Sequence, residues 1–490
     1  MMISECFERV IRPVHFFRRF MQCCTKLMHG KWNGKEMLGG EITVYLSLIF
    51  ILLMTFVGGI MESTSIQNAK NYRRADVNRA MECVFAEYQK ELLEEYDIFA
   101  LDGSYETGRY ASQNLTDRLS YYGAGDMEHG IAKIQFLTDR GGQGFCNQVQ
   151  AYMEHKYGVN VMKDMLGMTE AWGRQEDQAE EYVREKQDSQ NHLDELLTEN
   201  EGQLPQEGNP ISSADRLRQS PLLTLVTPRE TAISEKRING RDMPESRNRN
   251  KGYGEFTDVE STEGNLSSLI LGEYLLEHFS IFTEAKGDGA LDYELEYILA
   301  GKDSDQENLE AVTKKILNLR FVPNYTYIQT DSEMKAEAQT AAMALCTILA
   351  VPAITEAAEA GILLAWAYGE AIMDVRALLK GSKVPLAKSK ESWQLQLSKL
   401  FILGTEEDQN EGRDDEHGLG YSDYLRMLLF LAKKDITALR SLGVIEQNMR
   451  KIHGQTYFRA DYCISRIEIS SVCDLRRGIQ YKFRTCYNYN

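Results

Sequence analysis

Ile42 to Met61 reads ITVYLSLIFILLMTFVGGIM, twenty residues without a charge, and the polar run that follows begins at Glu62. Wound as a helix, this stretch is about 30 Å long, the thickness of the hydrocarbon core of a bilayer. The sequence therefore predicts a transmembrane helix over 41–61. Its membrane anchor is Ile42, Val44, Leu46, Leu48, Ile49, Phe50, Leu52, Leu53, Phe56 and Val57. A cleaved signal peptide would have an apolar region of roughly 7–15 residues followed by a small-residue cleavage site. Here the run is longer and no A-x-A pattern follows it.

Orientation follows from the flanks, because Lys and Arg beside a spanning helix resist translocation. Arg9, Arg12, Arg18, Arg19, Lys26, Lys31 and Lys35 precede the span against only Glu5, Glu8 and Glu36, whereas the whole chain carries −18. Residues 1–40 thus read as a basic cytoplasmic tail, and the acidic remainder as extracytoplasmic. The expectation is a single-pass protein of the cell membrane, with the lipid bilayer as its first partner. An acidic body argues against nucleic acid, which requires clustered Lys and Arg. Cys6, Cys23 and Cys24 precede the span, and Cys83, Cys146, Cys346, Cys463, Cys473 and Cys486 follow it. Their scatter is unlike a disulfide scaffold and predicts free, buried thiols.

From Glu62 to Tyr96 there is neither Pro nor Gly, and Ile66, Ala69, Val77, Ala80, Met81, Val84, Phe85, Tyr88 and Leu92 fall at helical spacing. One amphipathic helix is expected to continue the span, broken only at Asp102-Gly103-Ser104. Residues 62–168 read as a stalk and first helical lobe. Residues 169–253 read as a charged, solvated helix followed by a flexible linker carrying Pro205, Pro210, Pro221, Pro228 and Pro244. Within that linker, Leu222 to Val226 is an isolated apolar run expected to dock on its own domain, with a partner-binding strand as the alternative.

Residues 254–490 read as a second lobe of α+β type. Helices are expected over 265–282, 290–299 and Lys302–Leu319, the last capped by Asp303 or Ser304. Another is expected over Tyr421–Leu439. The apolar stretch 341–367 is interrupted by Pro352, Glu356 and Glu359 and reads as a buried helical hairpin, the alternative being a second membrane segment. Cys463, Ser465, Ile467 and Ile469 alternate with Ile464, Arg466 and Glu468, and 480–487 alternates too, which predicts strands at the end of the chain. The fold class is mainly α with a minor β part. It is an N-terminal transmembrane helix continued by a long amphipathic helix packed on a helical body, closed by short C-terminal strands.

Catalytic signatures are missing from the sequence. There is no H-E-x-x-H, G-x-S-x-G, G-x-x-x-x-G-K-[ST] or C-x-x-C. Gly30-Lys31-Trp32-Asn33-Gly34-Lys35 is one residue short of a phosphate loop. Gly123-Ala124-Gly125 and Gly141-Gly142-Gln143-Gly144 read as loops without the strand-turn-helix frame that aims amides at a phosphate. Glu294 and Glu296, two apart, fall on different helix faces and do not form an acid/base pair. The expectation is no enzyme, no cofactor and no metal.

Gly39-Gly40-Glu41-Ile42-Thr43-Val44-Tyr45-Leu46 resembles the start of the TadE- and TadG-like proteins of Tad (tight adherence, Flp-type) pili, and Tyr72 to Ala80 is loosely similar to the helix that follows there. Leu92 to Tyr105, Asp292 to Lys302 and Ala365 to Glu370 resemble blocks of an uncharacterised clostridial (Firmicutes) envelope group with Tad-like N-termini. The resemblance implies a pilin-like build and a role as a structural or assembly component of a Tad-like pilus or secretion system, with protein partners there. It marks Gly40 and Glu41 as the candidate processing site. Prepilin peptidases favour glutamate at the fifth mature position, which here is Tyr45, so an uncleaved anchor fits better. Some TadG-like relatives carry a D-x-S-x-S metal site. Asp102-Gly103-Ser104-Tyr105-Glu106 has its first two members, lacks the third and follows a predicted helix. Gly58 and Gly59 suit close contact between anchor helices in a homo-oligomer, the alternative being that adjacent glycines, which do not form G-x-x-x-G, simply loosen the helix. The alternatives are a membrane-anchored binding or sensory module and, third, an anchored hydrolase.

Overall fold

The computed structural model describes residues 38–158, 169–199, 210–228, 231–256, 264–349 and 355–489. The basic tail, with Cys6, Cys23, Cys24 and the 30–36 glycine loop, lies outside the described residues, as does Pro352. The chain forms two units, Met1–Asn71 and Tyr72–Asn490. The described part of the first unit is helix alone, the start of α1 (Leu38–Phe85).

The second unit holds the end of α1, then α2 (Lys90–Tyr96), β1 (Leu101–Asp102), α3 (Ser112–Leu119), β2 (Glu128–Phe136), α4 (Asp139–Tyr157), α5 (Thr169–Glu199), α6 (Pro210–Gln219) and α7 (Leu222–Val226). There follow α8 (Asn265–His278), α9 (Glu294–Ala300), α10 (Asp305–Thr330), α11 (Ser332–Leu349), α12 (Thr355–Leu379), α13 (Leu397–Leu400), α14 (Tyr421–Leu431), α15 (Lys434–Lys451), β3 (Cys463–Leu475) and β4 (Ile479–Asn488).

The sheet is antiparallel throughout. β3 is its centre, with β2 along one side and β1 and then β4 along the other. The alternation visible in the sequence is the alternation of faces: Cys463, Ser465, Ile467, Ile469, Ser471, Cys473 and Leu475 are buried, whereas Arg466, Glu468 and Ser470 are less so. Ile467 sits opposite Ile134 on β2 and Tyr487 on β4.

The helical core is built around α12, whose residues 362–367, 369–375 and 377–379 are buried on almost every side except at Arg376 and Tyr368. A helix apolar all round belongs in an interior or a membrane. Here the interior takes it, with α10, α11, α5, α6 and α7 packed around it. The buried reading of 341–367 holds for α12, whereas α11 is half exposed, with Met343, Ala344 and Thr347 outside, and the connection at 350–354 lies outside the described residues. Among the described residues one helix, Thr43–Phe85, is long and apolar enough to cross a membrane.

Several expectations are corrected. The helix expected over 62–96 ends at Phe85, because Tyr88 packs edge-on against Phe99 and the Gln89 amide donates to the Ala100 carbonyl, contacts that outweigh local propensity. The helix expected over Tyr421–Leu439 is two. The break at Ala432-Lys433 lets α14 lie on α8 while α15 lies on α4 and α9. The first lobe, read as helical, supplies β1 and β2. The residues divided between lobes at 62–168 and 254–490 lie, from Tyr72 on, in one compact unit.

The segment read as a linker is docked where it is described. Leu217, Leu223, Leu225, Val226 and Met243 are core residues, and Leu222–Val226 is a short helix rather than a strand. α10 begins at the predicted Ser304 cap, whose Oγ accepts from the Glu307 amide at 3.2 Å, but runs on through Pro323 to Thr330. Burial of Phe321, Val322 and Ile328 offsets the proline's cost of about 3 kcal/mol. The six described cysteines are free; Cys146, Cys346, Cys463 and Cys473 are buried.

Candidate functional site

Residues 43–61 of α1 are exposed without exception. Val44, Phe50 and Phe56 are more than 60 % exposed, and Leu46, Leu48, Ile49, Leu52, Leu53 and Val57 also face outward. Left in water, such side chains forgo about 1.5–3 kcal/mol each of burial. The two hydroxyls in the middle of the run turn back on the helix: Ser47 Oγ donates to the Val44 carbonyl and Thr55 Oγ1 to that of Leu52, both at 2.8 Å. Polar groups satisfied within their own helix are what an apolar surrounding requires. Gly40, Glu41 and Ile42 are helical in backbone, with side chains outside the described residues. Gly58 and Gly59 have nothing within 4 Å of an added Cβ.

In the second unit, residues 72–85 of the helix lie on the sheet. Arg74 stands over the Tyr481 and Phe483 rings, Asn78 meets Thr485, and Phe85 stacks on Tyr487 at 4.3 Å. The helix thus runs in the same sense as β4. Val77, Ala80, Met81, Val84 and Phe85 are buried, and Tyr489 Oη donates to the Phe85 carbonyl at 2.5 Å. The helical spacing read from the sequence is this buried face.

The carboxylates that the fold gathers are consumed in holding it. Glu294 and Glu296 take different partners, as their spacing requires. Glu294 accepts from the Ser280 amide and Asn448 Nδ2, and Glu296 from the Phe282 amide and Tyr421 Oη. Full burial pushes the Glu296 carboxyl up to about 7, its two donors offsetting only part of that, and its Oε2 has no hydrogen-bond partner.

A carboxyl raised in the folded state stabilises below its unfolded value, near 4.5, and loses that contribution as pH rises through about 7. Glu296→Gln is therefore expected to flatten the fall in stability across pH 4.5–7, worth roughly 3 kcal/mol. Thermal melts of the detergent-solubilised chain at a series of pH values check this. An unchanged slope would remove Glu296 as its source.

A second cluster is sealed at the centre of the helical core. Lys388 Nζ lies 2.6 Å from Glu370 Oε1 and 2.7 Å from Asp374 Oδ1, while Arg320 Nε and Asn324 Nδ2 each donate to Asp374 Oδ2 at 3.0 Å. All four charged side chains are fully buried. Burial pushes the Asp374 carboxyl up, but Arg320 and Lys388 outweigh it and hold the group below the usual range. The charges balance, and the spare Glu370 lone pairs accept the Gln394 and Leu395 amides. A third cluster joins Arg247 to Glu446 through two hydrogen bonds, at 2.6 and 2.7 Å, and to Asp461. Sequence reading missed both clusters. The signal for the Lys388 cluster was Glu370 and Asp374 four apart in the apolar run of α12, where buried charge has to be paired.

Asp102 ends β1, so it follows a strand rather than a helix. Its carboxylate accepts from Ser104 N, Ser104 Oγ and Glu106 N, which closes a turn. Among the described residues no group of three or more His, Cys, Asp or Glu could hold a metal ion.

No curated protein and no solved structure matches the chain. Residues 200–475 match DUF5702, a family of unknown function, and nothing in that match links the chain to Tad pili. The matched span runs from the end of α5 through α15 and all of β3, and leaves out the apolar helix, β1, β2 and β4. Because it covers more than half of the sequence, the chain belongs to the DUF5702 family of unknown function.

Proposed function

We propose that this is a non-enzymatic, single-pass membrane-anchored envelope protein with a cytoplasmic N-terminus and an extracytoplasmic body. In this reading it serves as a structural or assembly component of a Tad/Flp-like pilus or secretion system. The observation that carries the anchor is the wholly exposed apolar run 43–61 with its self-satisfied hydroxyls. The basic residues before it support the orientation. The lie of residues 72–85 on an antiparallel sheet agrees with a pilin-like build, and the Tad-like residues 39–46 supply the assembly role.

Cys486 is exposed on β4, on the opposite side of the span from Cys6, Cys23 and Cys24. A membrane-impermeant maleimide applied to intact cells, followed by mass mapping, is expected to modify Cys486 and spare the three tail cysteines. Modification of Cys486 only after permeabilisation would reverse the topology and end the reading. Crosslinking in cells followed by purification is expected to recover Tad platform or ATPase components, and recovery of other membrane proteins alone would remove the assembly role.

A further inference from the structure

Glu370 and Asp374 stand one turn apart on α12, so their carboxyls project from the same side of the helix. Lys388, from the segment after that helix, reaches between them, its Nζ 2.6 Å from Glu370 Oε1 and 2.7 Å from Asp374 Oδ1. None of the three side chains has any exposed surface. The carbon bonded to Glu370 Oε1 therefore falls in the roughly 3–3.5 Å range from which a nitrogen attacks, and reactants held in this way have effective concentrations of about 10⁵–10⁸ M. Exclusion of water also protects an amide formed there from hydrolysis.

The two carboxyls are held in different states. Besides Lys388, Glu370 accepts two backbone amides, Leu395 N at 2.8 Å on Oε2 and Gln394 N at 3.0 and 3.2 Å on its two oxygens. Burial pushes this carboxyl up, Lys388 opposes the rise and the Asp374 charge adds to it, so the neutral acid, the form an amine attacks, is favoured. Asp374 takes Arg320 Nε and Asn324 Nδ2 on Oδ2 and is held ionised, which leaves Oδ1 to receive a proton from Lys388. Two carboxyls driven apart by their surroundings divide into an acid and a base. The amides at Oε2 are the donors that an oxyanion on that atom requires.

We infer that Lys388 and Glu370 condense within the folded chain to a γ-glutamyl-ε-lysine amide, with Asp374 carrying the proton and the Gln394 and Leu395 amides holding the oxyanion. The Lys388 ammonium gives one proton to Glu370 Oε1 and a second to Asp374 Oδ1 as its nitrogen bonds to the Glu370 carboxyl carbon, and the negative charge passes to Oε2. Asp374 then returns its proton to Oε1, the bond from the carbon to Oε1 breaks, and Oε1 leaves as water. The step needs no other reactant. Two buried charges vanish with their desolvation cost, and Asp374 and Arg320 remain as a balanced pair. The link fixes residues 388–395 across α12, where the Trp366 and Trp393 indoles both donate to the Leu395 carbonyl at 2.7 Å. A chain without Lys388 loses the ion pair and the link together. The inference stands apart from the anchor and from the side of the membrane on which the body lies.

Mass spectrometry of the purified, denatured full chain tests it. The chain is expected to weigh less than its sequence by one water. Trypsin is expected to leave a branched peptide that joins residues 336–376 to 384–390, uncut after Lys388, with fragmentation placing the branch on Glu370. Lys388→Arg keeps the positive charge without the primary amine and should restore the full mass and free the two peptides. A variant that misfolds would also lack the branch, so the unaltered chain decides. Full mass and cleavage after Lys388, giving the linear peptide 384–388, would overturn the inference, and a branch on Asp374 would overturn the roles assigned to the two carboxyls.

Discussion

Lys388→Met is expected to destabilise the folded body by about 3–5 kcal/mol, the cost of leaving a buried charge uncompensated. The four charges of the core cluster cancel, and all are sealed from solvent. Removing the ammonium leaves Glu370 and Asp374 facing Arg320 alone. Glu370 must then either stay ionised without its partner or take up a proton. The paired change Lys388→Met/Glu370→Gln restores neutrality and should recover part of the loss, so the double variant costs less than the sum of the singles. Denaturant unfolding of the three proteins reads this coupling. Additive losses would mean that the pair contributes nothing beyond its separate packing.

Leu52→Asp/Leu53→Asp is expected to abolish membrane retention. A carboxylate at the middle of a spanning helix costs about 2.5–3.5 kcal/mol on insertion scales, and two cost roughly twice that. Both side chains are exposed on α1, so the folded body should be untouched. Fractionation should move the chain from the membrane pellet to the soluble fraction, with the melting transition of the body preserved. Continued sedimentation with membranes after an alkaline carbonate wash would show that something other than this helix holds the protein there.

The elements legible in the sequence were those whose pattern is a direct consequence of burial. The 43–61 run forms one long apolar helix, as its composition predicts, and the odd-numbered residues of β3 are inside because a strand alternates. The Ser304 cap is equally local. What escaped were features set by distant residues. β2 holds Ile134, Gln135 and Phe136 all inside, without alternation, and it becomes a strand only because β3, more than 300 residues later, pairs with it. The strap 231–256 looks like a linker from its Pro, Gly and Arg content. It is fixed because Arg247 finds Glu446 and Asp461, and Lys236 finds Asp292 at 2.6 Å.

β3 is the centre strand of the sheet, and two of the three strands that pair with it, β1 and β2, are made more than 300 residues before it. The ribosome therefore releases the early strands with no ladder to join. The seat of residues 72–85 does not exist until Tyr481, Phe483 and Tyr487 have been synthesised. Closure of the body thereby waits for β3 and β4, and contacts of such long sequence separation are slow to form. Throughout that interval the buried face of α1 and the edge of β2 stand open to other chains, so a nascent copy is vulnerable to mispairing until Cys463–Asn488 have been made.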